Sequence, residues 1–112
     1  MTEASLKTLI ETTLKIPVYE GQSSIIYPAA TLEIIGHPST LNGDGKSEVR
    51  ETEAVINLWY TGKTARDTDT GLLLAALDTQ NGISVPECYT EYDTTAKKYR
   101  SVISFNFIPR ST

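Results

Sequence analysis

A single cysteine, a single histidine, a single tryptophan and two phenylalanines are all that 112 residues supply of those types. One thiol, Cys88, cannot close an intramolecular disulfide, and no secretory signal is read at the start of the chain. The expectation is a reducing cytoplasm, with Cys88 as a small core residue, since no activating histidine lies near it in sequence. His37 has no Cys, Asp or Glu at metal-ligand spacing and reads as a loop histidine. No apolar run approaches the length of a membrane span, and the longest, Leu72 to Leu77, reads as a buried helix segment.

Basic residues are also scarce. Ten Lys and Arg stand against fourteen Asp and Glu, for a formal charge of -4. Gripping nucleic acid by its phosphates takes clustered cations. The one basic cluster, Lys97, Lys98 and Arg100, is offset by Glu87, Glu91 and Asp93 just upstream. Apolar residues make up 39% of the chain, on the low side for a folded protein, which points to burial completed by a partner. The length suits a single domain over residues 1–112, with one core.

What is present is organised around Glu51 to Tyr60. Side chains alternate across a strand, so Ala54, Ile56, Leu58 and Tyr60 share an apolar face, and Glu53, Val55, Asn57 and Trp59 share a mixed one. The pattern predicts an inner strand with a core on one side and a partly covered surface on the other.

Before it, Leu6, Leu9, Ile10 and Leu14 fall at helical spacing, which predicts a helix from Thr2, its N-cap, to about Lys15. Pro17 ends that helix and confines Ile16 to Tyr19 to an edge strand. Ala29 to Ile35 alternates as a half-buried strand opened by Tyr27-Pro28. Gly36 to Ser47 is rich in turn formers and longer than a hairpin requires, so it reads as a functional or disordered loop.

After the central strand, Asp67, Thr68, Asp69 and Thr70 offer N-caps for a second helix reaching about Thr79. Leu73, Ala76 and Leu77 are its expected core positions, and Asn81-Gly82 its expected left-handed cap. Pro86 to Tyr92 and Tyr99 to Ile108 are the last strands. A turn at Asp93 to Ala96 would set Glu91 opposite Lys98 and Tyr89 opposite Arg100. The fold class expected is α+β: one twisted, mainly antiparallel sheet of about four to five strands, with two helices packed against it.

Chemical motifs are fragmentary. Gly43-Asp44-Gly45-Lys46-Ser47 resembles the end of a phosphate-binding loop, but Thr40 stands where the leading glycine belongs and no helix pattern follows. Asp67 to Gly71 suggests a calcium loop, but Leu72 stands where the sharp bend needs glycine. Asp69-Thr70-Gly71 spells the aspartic-protease triplet without the apolar strand that should precede it. No catalytic, cofactor-binding or metal residue is assigned.

The element order, the Tyr27-Pro28 opening, the long loop, Val55 to Trp59 running into Thr64-Ala65 and a Leu/Ala helix, and the closing Lys98 to Phe107 together resemble a known family. It is that of the small tail-terminator and tail-completion proteins of long-tailed bacteriophages and prophages. The likeness spans nearly the whole chain and lies in patterns of apolar positions.

It implies a single tail-terminator-like domain and a non-enzymatic virion protein, forming a homo-oligomeric, commonly hexameric ring. Such a ring terminates the tail tube and joins it to the head or neck. Its partners would be its own copies, the tail-tube protein and a head or neck connector, with no cofactor and no membrane. DNA would pass through such a ring without being specifically bound. Location would be the virion tail, and the host cytoplasm during assembly. Within this picture Val55, Asn57 and Trp59 are the candidate subunit interface, and His37, Leu41, Asn42, Asp44 and Lys46 the candidate projecting loop. The alternatives are a head-tail connector component and a bacterial small-molecule or peptide-binding domain.

Overall fold

Thr2 begins the described chain as the N-cap of α1 (Glu3–Leu14), its hydroxyl accepting from the Ser5 amide at 3.0 Å while the Ser5 hydroxyl accepts from the Thr2 amide at 2.8 Å. This reciprocal box satisfies two amides that the first turn leaves without partners. Lys15 ends the helix in the left-handed region, φ 57°, its N–H bonded to the Glu11 carbonyl. The computed structural model describes residues 2–20, 25–37 and 51–107.

Five strands and a second helix follow: β1 (Val18–Glu20), β2 (Ala29–His37), β3 (Glu51–Tyr60), α2 (Lys63–Asp78), β4 (Glu87–Asp93) and β5 (Lys98–Phe107). They form one sheet in the order β1-β2-β3-β5-β4, antiparallel except for the β1/β2 pair at the edge. The expected α+β architecture is therefore what the chain adopts, with five strands and two helices.

α1 lies over β1 and β2, α2 lies over β3 and β5, and the helices touch each other. Between them and the sheet sits the core: Leu6, Ile10 and Leu14 from α1, Leu73 and Leu77 from α2, and Ala54, Ile56, Leu58 and Tyr60 from β3. Ile16, Val18 of β1, Ala30 and Leu32 of β2, and Ile103, Phe105 and Phe107 of β5 complete it. Each fully buried Leu or Ile contributes about 1.5–3 kcal/mol relative to exposure, which is why β3, apolar along this whole face, takes the middle of the sheet.

Five expectations need correction. The first is that Leu72 to Leu77 is buried throughout: one face of α2 meets water, so Leu72 is 49% exposed and only Leu73 and Leu77 of the run are sealed. α2 begins at Lys63, with Gly62 as an N-cap that offers no side chain, rather than at Asp67 to Thr70. The extra turn forms because Arg66 and Thr70 continue the buried stripe of Leu73 and Leu77, as polar residues with partners. The Thr70 hydroxyl donates to the Arg66 carbonyl at 2.6 Å, so its single proton is spent, and Ser101 of β5 donates to it at 2.7 Å. The same helix ends at Thr79 in a right-handed conformation, and Gly82, φ +81°, turns the chain three residues later.

The β4/β5 register differs as well. The turn runs Thr94 to Lys97, with Asp93 Oδ1 accepting from the Thr95 and Ala96 amides, both at 2.9 Å, and Lys97 at φ 57°. Glu91 consequently faces Arg100, Tyr89 faces Val102 and Asp93 faces Lys98. Finally, Cys88 is exposed on β4 and not in the core, because no Cα of either helix comes within 8 Å of one in that strand.

Candidate functional site

Among the described residues, no helix lies on the second face of the sheet. Its residues follow from the register as rows across β2, β3, β5 and β4: Ala29, Trp59, Arg100, Glu91; then Thr31, Asn57, Val102, Tyr89; then Glu33, Val55, Ser104, Glu87. Rows two residues apart along a strand are roughly 7 Å apart, and the four strands span roughly 14 Å from Glu33 to Glu87.

Val55, Asn57 and Trp59 lie on this face as the alternation predicts, each half-buried in the single chain. Val102, at 8% exposure, is almost sealed by its neighbours without any layer above it. Tyr89, at 58%, stands out at the β4 side.

The first row holds most of the specific contacts. Trp59 Nε1 donates to the Thr31 hydroxyl at 3.4 Å, and Tyr27 meets the indole edge-on, with centroids 6.3 Å apart. The Arg100 guanidinium stacks 5.1 Å from the Trp59 ring centre and forms an ion pair with Glu91. Lys98 Nζ sits 4.9 Å from the Tyr27 ring centre. Two cations thus rest on two perpendicular aromatic rings, an arrangement worth about 0.5–1 kcal/mol per pair where partly exposed.

Sequence reading passed over Tyr27, Lys98, Arg100 and Glu91 as a group. The signal that would have found them is the strand register: with Asp93 opposite Lys98, Glu91 falls opposite Arg100, which is itself opposite Trp59.

Towards the other end of the face, Glu53, Ser84, Glu87, Ser104 and Asn106 border a shallow open depression of about 110 Å³. His37, expected in the projecting loop, instead closes β2, because the ladder to β3 runs two residues past Ile35 and pairs His37 with Glu51. The remaining loop candidates, Leu41, Asn42, Asp44 and Lys46, lie outside the described residues, as do Ile108 and the Gly43 to Ser47 motif.

Beneath the sheet, the groups of the protease and calcium fragments serve packing. Asp69 and Thr70 are in the middle of α2, and the Asp69 carboxylate accepts from the buried Tyr60 hydroxyl. Burial and the neighbouring carboxylate push the Tyr60 phenol well above its ordinary value of 10.0. Hydrogen bonding from Arg66 holds Asp67 below the usual carboxylate range, with Lys63 adding to it. Cys88 is shifted upward by partial burial, which disfavours the reactive thiolate. Among the described residues no three His, Cys, Asp or Glu are grouped to hold a metal ion, and no helix is long and apolar enough to cross a membrane.

The fold and this face define a two-layer α+β protein whose sheet is covered by helices on one side and, among the described residues, by no second layer on the other. No protein-family model matches the chain, and a search of curated proteins finds no match either.

Proposed function

We propose that the chain is a non-enzymatic structural protein of a phage or prophage virion, which assembles with its own copies into a ring that terminates the tail tube and joins it to the head or neck. The observation that carries this reading is the sheet face bearing Val55, Asn57 and Trp59, which neither helix of the chain covers. A neighbouring subunit packed there removes apolar surface from water, and a heterologous contact whose rotation closes produces a ring. The sequence resemblance supplies the tail context.

The alternative of a ligand-binding module with Trp59 in its pocket is the weaker one. The indole already has Arg100 stacked on it, Tyr27 against it and Thr31 on its nitrogen. The net charge of the chain, -4, agrees with a ring that DNA traverses without adhering.

Light scattering coupled to size exclusion, with negative-stain microscopy across a concentration series, tests the reading. The parent chain is expected to give a closed multimer that grows in population with concentration. Trp59→Glu is expected to shift it to monomer with an unchanged far-ultraviolet circular dichroism spectrum. A parent that stays monomeric at high concentration and when mixed with tail tubes refutes the proposal.

A further inference from the structure

β4 is the one described strand with no layer over either side. Cys88, Thr90 and Tyr92 pair with Ile103, Ser101 and Tyr99 on the helix side, yet all three are exposed, because the helices stop over β5. Glu87, Tyr89, Glu91 and Asp93 point to the open side. The described sheet ends at β4, so its ladder to β5 carries almost everything that holds it.

The contacts beyond that ladder converge near one residue. From the helix side, Arg66 of α2, only 5% exposed, places Nη1 3.4 Å from the Glu91 carbonyl oxygen and its guanidinium 5.5 Å from the centre of the Tyr99 ring. Tyr99 in turn meets Tyr92 of β4 edge-on, with centroids 4.9 Å apart. From the open side, Arg100 takes the Glu91 carboxylate. Two arginines on opposite faces therefore grip Glu91, one by its backbone and one by its side chain.

Both grips come at an energetic cost. Arg66 is buried against a counterion, Asp67, whose side chain is 48% exposed, and Arg100 Nε is enclosed with no acceptor among the described residues. Apolar residues of similar size would fill such places as cheaply or more so, and polar contacts of this kind serve to fix one arrangement against others. Arg66 also lies close enough to β4 for its charge to act on the Cys88 thiol.

We propose that Glu91 is a latch point at which Arg66 and Arg100 together hold the edge strand β4 on the sheet, so that β4 opens as a unit, separately from β2, β3 and the helices, when either grip is lost. Regions with few buried apolar contacts and exposed backbone bonds are those that open locally.

Amide hydrogen exchange on the full chain, read by mass spectrometry, tests this. In the parent, the β4 amides that bond to β5 exchange faster than those within β3. Arg66→Met raises β4 exchange by about tenfold, as expected for loss of a hydrogen bond from a charged donor. Glu91→Gln, which weakens a partly exposed ion pair, independently raises it by about twofold to fivefold, and both leave residues 54–58 and 31–34 unchanged. Glu91→Gln leaves the buried arginine and the backbone carbonyl in place, so it carries the test if Arg66→Met does not fold. Exchange of β4 in step with β3 in the parent, or an equal acceleration of every strand in Glu91→Gln, overturns the proposal.

Discussion

Replacing Tyr60 with phenylalanine should produce a stability difference that changes sign with pH. The Tyr60 ring is 3% exposed at the end of β3, and its hydroxyl donates to the Asp69 carboxylate in α2. A hydrogen bond to a charged group is worth about 1.5–3 kcal/mol, but Asp69 is half-exposed and recovers water once the hydroxyl is gone, so near pH 7 the variant should lose about 1 kcal/mol. Above pH 10 the balance shifts. The unfolded phenol loses its proton near its ordinary 10.0, while burial and the Asp69 carboxylate keep the folded phenol protonated.

The folded pKa is raised, so the tyrosine's contribution is fully present below pH 10 and declines as pH rises beyond it. The decline approaches about 1.4 kcal/mol per pH unit, because the folded state binds a proton that the unfolded state has released. A difference of about 1 kcal/mol in favour of the parent therefore falls to zero at roughly pH 10.6 and reverses above it. Urea unfolding of both proteins between pH 7 and 11, followed by circular dichroism, gives the two curves directly. A gap that stays constant across that range would falsify the picture of a neutral, buried phenol bonded to Asp69.

Two further substitutions test the core and the first helix. Leu58→Ala, at a fully buried position on the apolar face of β3, should cost about 2–5 kcal/mol in urea unfolding, whereas an effect under 1 kcal/mol would place Leu58 outside a close-packed core. Thr2→Ala removes the acceptor that caps the Ser5 amide and should cost about 1 kcal/mol, most of it restored by Thr2→Asp, and an unchanged midpoint would show that the capping box contributes nothing.

The parts of the fold that were legible in the sequence are those where apolar spacing alone decides. β3 alternates without a break, so its faces and its central place followed directly, and α1 announced itself by Leu6, Ile10, Leu14 and a capping Thr2. The start of α2 was hidden because its first buried positions are Arg66 and Thr70, whose burial depends on Glu91 and Ser101 from distant strands. Cys88 misled for a related reason: small size suggests a core position, but whether a helix reaches over the edge strand is a matter of tertiary geometry.

The candidate face divides the same way. Val55, Asn57 and Trp59 follow from alternation along one strand. The stacking of Arg100 on Trp59 depends on how β5 registers against β3. The pairing of Arg100 with Glu91 depends on a hairpin register fixed by where a four-residue turn begins, and a two-residue slip in cross-strand partners separates Glu91 from Arg100. Such a slip keeps every side chain on its own face, so no apolar pattern reveals it.

The sheet order has a consequence for how the molecule comes together. β4 is made before β5, yet β5 is its sole neighbour among the described strands, and β5 must also zip along β3, from which it is separated by all of α2 and β4. During synthesis β4 emerges with nowhere to dock, and the outer flank of β3 stays bare until Lys98 to Phe107 leave the ribosome. A nascent chain whose residues up to Asp93 have emerged should therefore hold only the α1, β1, β2, β3 and α2 portion in protease-resistant form, and the described sheet is complete only with the strand translated after all its others.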